Sequence, residues 1–190
     1  INATWKHAAV VGRTAYIGKV TQPVGGTEKG SLILKSSVGR VAGFSDKQYI
    51  DAEFGGDSIQ HMQAVGDRLL VFGSNQLAVI NVAQDIEFLE GTFNELGIAH
   101  PRQCCPVSEG VAVINTSGVY LFDGETVTNL TLEKMNSVVI SSNCAVGFDN
   151  NRKLLYCWGL DNSSVSRSYF SLKNMSWVGM DASAASTPET

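Results

Sequence analysis

His7 and His61 are the residues of this sequence whose type and placement first invite a chemical reading. Each stands five residues before a turn glycine, Gly12 and Gly66, so the two hold equivalent places in a recurring pattern. Imidazoles gathered from equivalent places could form a metal centre or an acid–base pair. His100 is the remaining histidine, but the later copies of the pattern supply no matching ligand. One histidine per copy is the ordinary mark of a structural or surface residue, and the histidines are read that way.

The other near misses resolve similarly. GGTEKGS, residues 25–31, looks like a phosphate loop, but its ending is scrambled to Lys-Gly-Ser and it lies between strands rather than before a helix. It reads as a flexible hairpin loop. Asp51 with Glu53, Asp123 with Glu125, and Asp149 lie in or beside turns, where Asp favours tight backbone geometry through local hydrogen bonds. No facing acid pair for glycoside hydrolysis and no Asp-x-Asp-x-Asp-Gly calcium loop can be picked out. The reading assigns no catalytic, cofactor-binding or metal-binding residue, expects no cofactor, and takes the protein as a non-enzyme.

Four cysteines, Cys104, Cys105, Cys144 and Cys157, are too few to staple 190 residues and lack metal-finger spacing. A hairpin turning at Asn150 and Asn151 would place Cys144 directly across from Cys157, and the pair is expected to face each other yet stay reduced. Asn-x-Ser/Thr sequons begin at Asn2, Asn115, Asn129, Asn162 and Asn174 and would suit a secreted protein, although a turn-rich sequence produces some by composition alone.

The elements that must carry these residues are written in a repeat. GDRLLVFGSNQLAVINV (66–82) returns 42 residues later as SEGVAVINTSGVYLFDG (108–124), with Leu69, Val71, Leu77 and Val79 matched by Val111, Val113, Val119 and Leu121. Gly73, Ser74 and Asn75 correspond to Asn115, Thr116 and Ser117, so each copy is a β-hairpin. Fainter copies run from Gly12 to Ser36 and from Asn150 to Leu172. Each hairpin is preceded by a short strand, at 7–11, 61–65, 104–107 and 142–148, and followed by another, QYIDAEF, DIEFLEGTF, ETVTNLTL and MSWVGM.

Four strands per repeat, at periods of about 40–50 residues, is the pattern of propeller blades. The strands themselves agree. Leu69 and Val71 point one way, Leu70 and Phe72 the other, and all are apolar, as are Val111, Val113 and Ile114. Both sheet faces therefore need cover, which a half-wet sandwich would not ask for. The links are too short for helical crossovers, so neighbouring blades must provide it. The fold class expected is all-β: a β-propeller of about four four-stranded antiparallel blades, approximately 5–54, 59–93, 98–131 and 138–180, with 181–190 a flexible tail or linker. A start at Ile1 rather than Met favours part of a larger propeller over a small closed one.

A net charge of −4 argues against a basic nucleic-acid-binding surface. No window approaches the roughly 20 apolar residues of a membrane span.

The runs from Ile59 to Leu130, above all Asp67–Phe72, Leu77–Val82, Ile86–Glu90 and the ending GVYLFDG (118–124), resemble the β-propeller tail proteins of short-tailed double-stranded DNA phages, of the nozzle or packaged-DNA stabilisation type. That resemblance implies a non-enzymatic virion protein of the phage tail, assembled in the bacterial cytoplasm. It would form a homo-oligomeric ring with other tail proteins, adaptor and fibres, around part of the DNA exit channel. DNA would pass without sequence-specific binding. The chain is shorter than such proteins usually are, which leaves their platform and tip domains unaccounted for. The competing readings are a secreted propeller that binds or hydrolyses carbohydrate and a scaffold propeller that contacts host-cell proteins.

Overall fold

The computed structural model describes residues 4–21, 27–40, 43–52, 54–84, 86–131, 139–160 and 167–181. The chain divides into two compact units, Ile1–Pro101 and Arg102–Thr190. Each unit holds two antiparallel four-stranded sheets whose strands lie side by side in chain order.

In the first unit, β1 (His7–Val11), β2 (Thr14–Thr21), β3 (Glu28–Ser36) and β4 (Phe44–Asp51) form one sheet. The other is β5 (His61–Val65), β6 (Arg68–Phe72), β7 (Gln76–Asn81) and β8 (Phe88–Asn94). In the second unit the sheets are β9 (Cys104–Val107), β10 (Gly110–Asn115), β11 (Gly118–Phe122) and β12 (Val127–Asn129), then β13 (Ile140–Asp149), β14 (Leu154–Leu160), β15 (Arg167–Ser171) and β16 (Ser176–Asp181). β8 and β16 each run one residue past the expected blade ends. The proposed tail thus loses Asp181 to a strand, and the rest of it, 182–190, lies outside the described residues.

The 42-residue offset holds to the level of individual pairs. Leu69 pairs with Ile80 and Phe72 with Leu77 in β6–β7, while Val111 pairs with Phe122 and Ile114 with Val119 in β10–β11. Both hairpins close through two residues, Ser74–Asn75 and Thr116–Ser117; the first is tied by the Gly73 amide donating to the Gln76 carbonyl at 2.8 Å. Shared register keeps the same positions on the same faces.

Burial on both faces follows. Leu69 and Leu70 project to opposite sides of β6, and each is 0 % exposed. Val71, Leu77, Val79, Val111, Val113, Ile114, Val119 and Leu121 are buried as well. Within the first unit, Val11, Tyr16 and Ile33 pack with Ile59, just before β5, and with Met62, Leu69, Val71 and Ile80 of the second sheet. Within the second unit, Ile114, Val119 and Leu121 pack with Cys144, Val146, Leu155, Cys157 and Phe170. The first strands lie close together in each unit, β1 against β5 and β9 against β13.

Polar ties join the sheets too. Glu87, in the link between β7 and β8, accepts from the Tyr16 hydroxyl at 3.2 Å and from Lys35 Nζ at 2.8 and 2.6 Å. The Trp177 indole donates to the Leu130 carbonyl at 2.9 Å.

Two expectations need correction. Glu28–Ser31 of GGTEKGS are part of β3, with Val20 opposite Lys29 and Thr21 opposite Glu28, so more than half of that stretch is strand rather than loop; 25 and 26 lie outside the described residues. The β13–β14 hairpin turns later than Asn150–Asn151. Asp149 Oδ1 accepts from the amides of Asn151 (2.9 Å) and Arg152 (3.1 Å), and Lys153 takes a left-handed φ of 56°. The loop is therefore four residues, 150–153, and Asp149 pairs with Leu154. Cys157 consequently faces Val146 and not Cys144. Cys144 sits against Gly159, where a Cβ would meet the Cys144 Cα at 2.9 Å.

Candidate functional site

The polar side chains at the starts of the first strands are the best-placed candidates for chemistry. In the first unit, His7 on β1 lies opposite Gly18 on β2, and His61 on β5 lies opposite Phe72. A Cβ on Gly18 would stand 2.5 Å from Met62 Sδ and 3.0 Å from Ile59 Cδ1, so the ends of these two side chains pack against the bare glycine. Its bareness lets the segment before β5 come close to the first sheet.

The His7 imidazole is half-buried. Burial lowers its pKa from the ordinary value, and the charges of His61, Lys19 and Lys6 lower it further, against the nearby Ile59 carbonyl, which favours the charged form. Burial lowers His61 as well, against a hydrogen bond with Gln63; its ring also stacks on Phe72 at 6.2 Å between centroids. Lys19, at a break in the β2–β3 register with φ 56°, donates to Ser58 Oγ at 3.1 Å. Glu28 is the nearby carboxylate, 3.0 Å from Lys6 and 3.8 Å from Lys19.

The second unit repeats this plan with different residues. The offset that relates the hairpins carries His61 to Gln103, which closes a short 3-10 turn (Pro101–Gln103) and is buried. Gln103 Nε2 donates to Cys144 Sγ at 3.0 Å and to the Ser142 carbonyl at 3.4 Å. The same count carries Gln103 on to Ala145 in β13, which lies opposite Trp158 as His61 lies opposite Phe72, so the later copies hold no histidine at this place. His100 is exposed in the turn before Pro101.

Among the described residues no group of three or more His, Cys, Asp or Glu could hold a metal ion. The turn acids are occupied locally. Asp123 accepts from the Thr126 and Glu125 amides and the Thr126 hydroxyl, which hold its carboxyl below the usual range. Asp57, in the link between β4 and β5, works against its own burial by accepting from the amides of Ser58 and Ser74, the Ser74 hydroxyl and the Asn75 amide, and it too is held low. It anchors the β6–β7 turn. Asp51 ends β4, and Glu53 lies outside the described residues.

The sequons are turn chemistry at two of their five positions. Asn115 Oδ1 accepts from the Ser117 amide at 2.9 Å, and Asn115 is buried. Asn129 Oδ1 accepts from the Thr131 amide and hydroxyl at 2.9 and 2.7 Å. Asn174 is exposed, while Asn2 and Asn162 lie outside the described residues.

All four cysteines are free. Burial pushes Cys104 and Cys157 up to about 12, with the neighbouring thiols Cys105 and Cys144 adding to it. Burial also raises Cys144, against its bond from Gln103, and raises the half-buried Cys105. The thiolate is the reactive form, so burial suppresses the reactivity of these thiols in the folded chain, least for the half-buried Cys105. Alkylation at pH 8 without reductant should label four thiols in denaturant but at most Cys105 in the folded chain; two or fewer in denaturant would reveal a disulfide.

The fourth sheet carries an aromatic face: Tyr156 and Trp158 stack at 6.2 Å and Tyr169 meets Tyr156 edge-on at 5.2 Å, all half-buried. The outermost strand of the second sheet, β8, instead exposes aliphatic and aromatic surface. Phe88 and Leu89 are each 46 % exposed, and Ile86 just before them 80 %.

No protein-family model and no curated protein matches the sequence. Among solved structures, "YCF48 bound to D1 peptide" is similar at a TM-score of 0.54 and 9% identity, over 94% of this chain and 53% of that one. Hsv2 of Kluyveromyces lactis is similar at a TM-score of 0.39 and 10% identity, over 92% of this chain and 60% of that one. The chain thus spans between half and two thirds of the length of the proteins it resembles. The first of these is a β-propeller, and so is the fold of this chain, whose described residues form four four-stranded sheets, two in each unit. No helix among the described residues is long and apolar enough to cross a membrane.

Proposed function

We propose that this chain is a non-catalytic structural propeller that works by assembling with other proteins, as a ring-forming component of a phage tail around part of the DNA exit channel. The observation that carries the assembly reading is the apolar surface of β8. Ile86, Phe88 and Leu89 form an exposed run on the outer edge of a sheet, where a lone subunit would gain from charge or proline. Its neighbour Glu90 is held by Arg68 through bonds of 2.6 and 3.0 Å, which leaves the apolar side chains as the surface on offer. The tail assignment rests on the resemblance of Ile59–Leu130 to nozzle proteins, and the acidic balance suits a conduit that must not hold phosphate.

Native mass spectrometry and electron microscopy of the full-length protein test this. The expected result is a closed ring on the tail axis that falls apart in the double variant Phe88→Glu, Leu89→Glu while circular dichroism stays unchanged. A monomer indifferent to that variant would overturn it. A monomer with sugar on the Tyr156–Trp158–Tyr169 face would favour the carbohydrate-binding alternative.

A further inference from the structure

The registers of the four sheets define equivalent places, and one of these is buried in three sheets but open to solvent in the fourth. Gly147 lies opposite Tyr156 as Ala9 lies opposite Tyr16, Gln63 opposite Leu70 and Cys105 opposite Ala112. Tyr16, Leu70 and Ala112 are at most 2 % exposed. Tyr156 is only half-buried, as are Trp158 two residues on and Tyr169 across the ladder. The three rings touch, at 6.2 and 5.2 Å between centroids, and make one continuous apolar surface.

Within each unit the next sheet covers this place. Tyr16 shares a core with Ala64 and Leu69 of the second sheet, and Ala112 shares one with Phe148 and Leu155 of the fourth. The covering pairs are themselves equivalent, Ala64 opposite Leu69 and Phe148 opposite Leu155. In the first sheet the same pair is Val10 opposite Ala15, and Val10 is 56 % exposed. Tyr49, also exposed, shares that face through the row Ile17, Leu34, Tyr49. Exposed Trp5 joins it through Phe44, which packs on Ile17 and Leu34.

We propose that the Tyr156, Trp158 and Tyr169 face of the fourth sheet is the docking site for a second copy of this chain, which covers it with the Trp5, Val10 and Tyr49 face of its first sheet. The contact repeats between molecules the sheet-on-sheet packing found within each unit. Its two surfaces differ, so it is heterologous, and two copies that close on each other make it twice. Eight sheets fall within the four to eight blades of a propeller. The match of 94% of this chain to 53% of a propeller chain agrees, since a second copy supplies about the share that one leaves out. The contact uses a sheet face rather than the edge strand β8, and so stands apart from the ring proposed above.

Sedimentation equilibrium and native mass spectrometry of the 190-residue chain should give a dimer, twice the chain mass of 20.3 kDa. Val10→Glu with Tyr49→Glu alters two side chains that are more than half exposed in one copy. It should weaken dimerisation about a hundredfold or more with unchanged circular dichroism, because the charges would be buried without partners. Trp158→Lys should do the same from the other side. An equimolar mixture of the two variants should recover the dimer, with one contact wild type and the other joining Glu to Lys. Phe88→Glu with Leu89→Glu should leave the dimer intact, which separates this contact from the β8 edge. A monomeric wild type, a dimer indifferent to Val10→Glu with Tyr49→Glu, or a mixture that stays monomeric would overturn the proposal. The variant of the exposed face decides it even where Trp158→Lys folds poorly.

Discussion

Leu69→Ala and Leu70→Ala should each lower the stability of the chain by about 2–5 kcal/mol, the range for emptying a filled core site. The two are adjacent on β6 and project to opposite faces, yet neither touches solvent. Leu69 packs among Ile33, Ile59, Val71 and Ile80, so its loss opens a cavity between the first and second sheets. Leu70 is buried on the other face, beside Val79 across the ladder. In a sheet with one wet face, one of the two substitutions would be nearly silent. Urea unfolding followed by circular dichroism distinguishes the cases: a change within about 0.5 kcal/mol for either residue, the usual effect of a surface substitution, would mean that β6 has only one buried face.

Gly97→Ala should cost about 3 kcal/mol, at the upper end of what overpacking usually does. A Cβ on Gly97 would overlap the Asn75 amide nitrogen and the Ser74 carbonyl carbon, which are backbone atoms of a two-residue turn and cannot swing aside. The segment from Glu95 to Ile98 lies across that turn, with the Glu95 amide donating to the Asn75 carbonyl (2.7 Å) and the Ile98 amide to the Gly73 carbonyl (2.9 Å). Lifting it would also expose the buried Leu96 and Ile98. The expected signature is a lower denaturant midpoint with faster exchange at 95–98. Gly66→Ala makes a useful contrast, because nothing lies within 4 Å of its Cβ and its cost arises only from the left-handed φ of 54°.

What could be read from the sequence was what packing repeats. Apolar residues on both faces of Leu69–Phe72 and Val111–Ile114 demanded cover on two sides, and turn formers at Ser74–Asn75 and Thr116–Ser117 marked where the strands reverse. That was enough for the blades and their order. The ties between sheets were beyond reach for a different reason. Glu87 meets Tyr16 and Lys35 across 71 and 52 residues of chain, and no local pattern specifies such a meeting. His7 and His61 stood out as a pair, but at the same place the later sheets carry Gln103 and Ala145, so the repeat gathers no set of matching ligands. The β13–β14 turn was misplaced because Asn150–Asn151 is a good turn pair in isolation, whereas Asp149 gathers the amides beyond it into a longer loop.

That loop also acts as insulation. Directly opposed residues of an antiparallel pair hold their Cβ atoms about 4.5–5.5 Å apart, within a small adjustment of the roughly 3.8 Å that a disulfide needs, while diagonal neighbours stand about 7–8 Å apart. Turning at Asn150–Asn151 would have put Cys144 and Cys157 in the first relation. Winding 150–153 around Asp149 sets Val146 opposite Cys157 and leaves Cys144 on the diagonal. The spacing of four backbone units at an exposed hairpin tip thus keeps these two buried cysteines from standing directly opposite each other across the ladder.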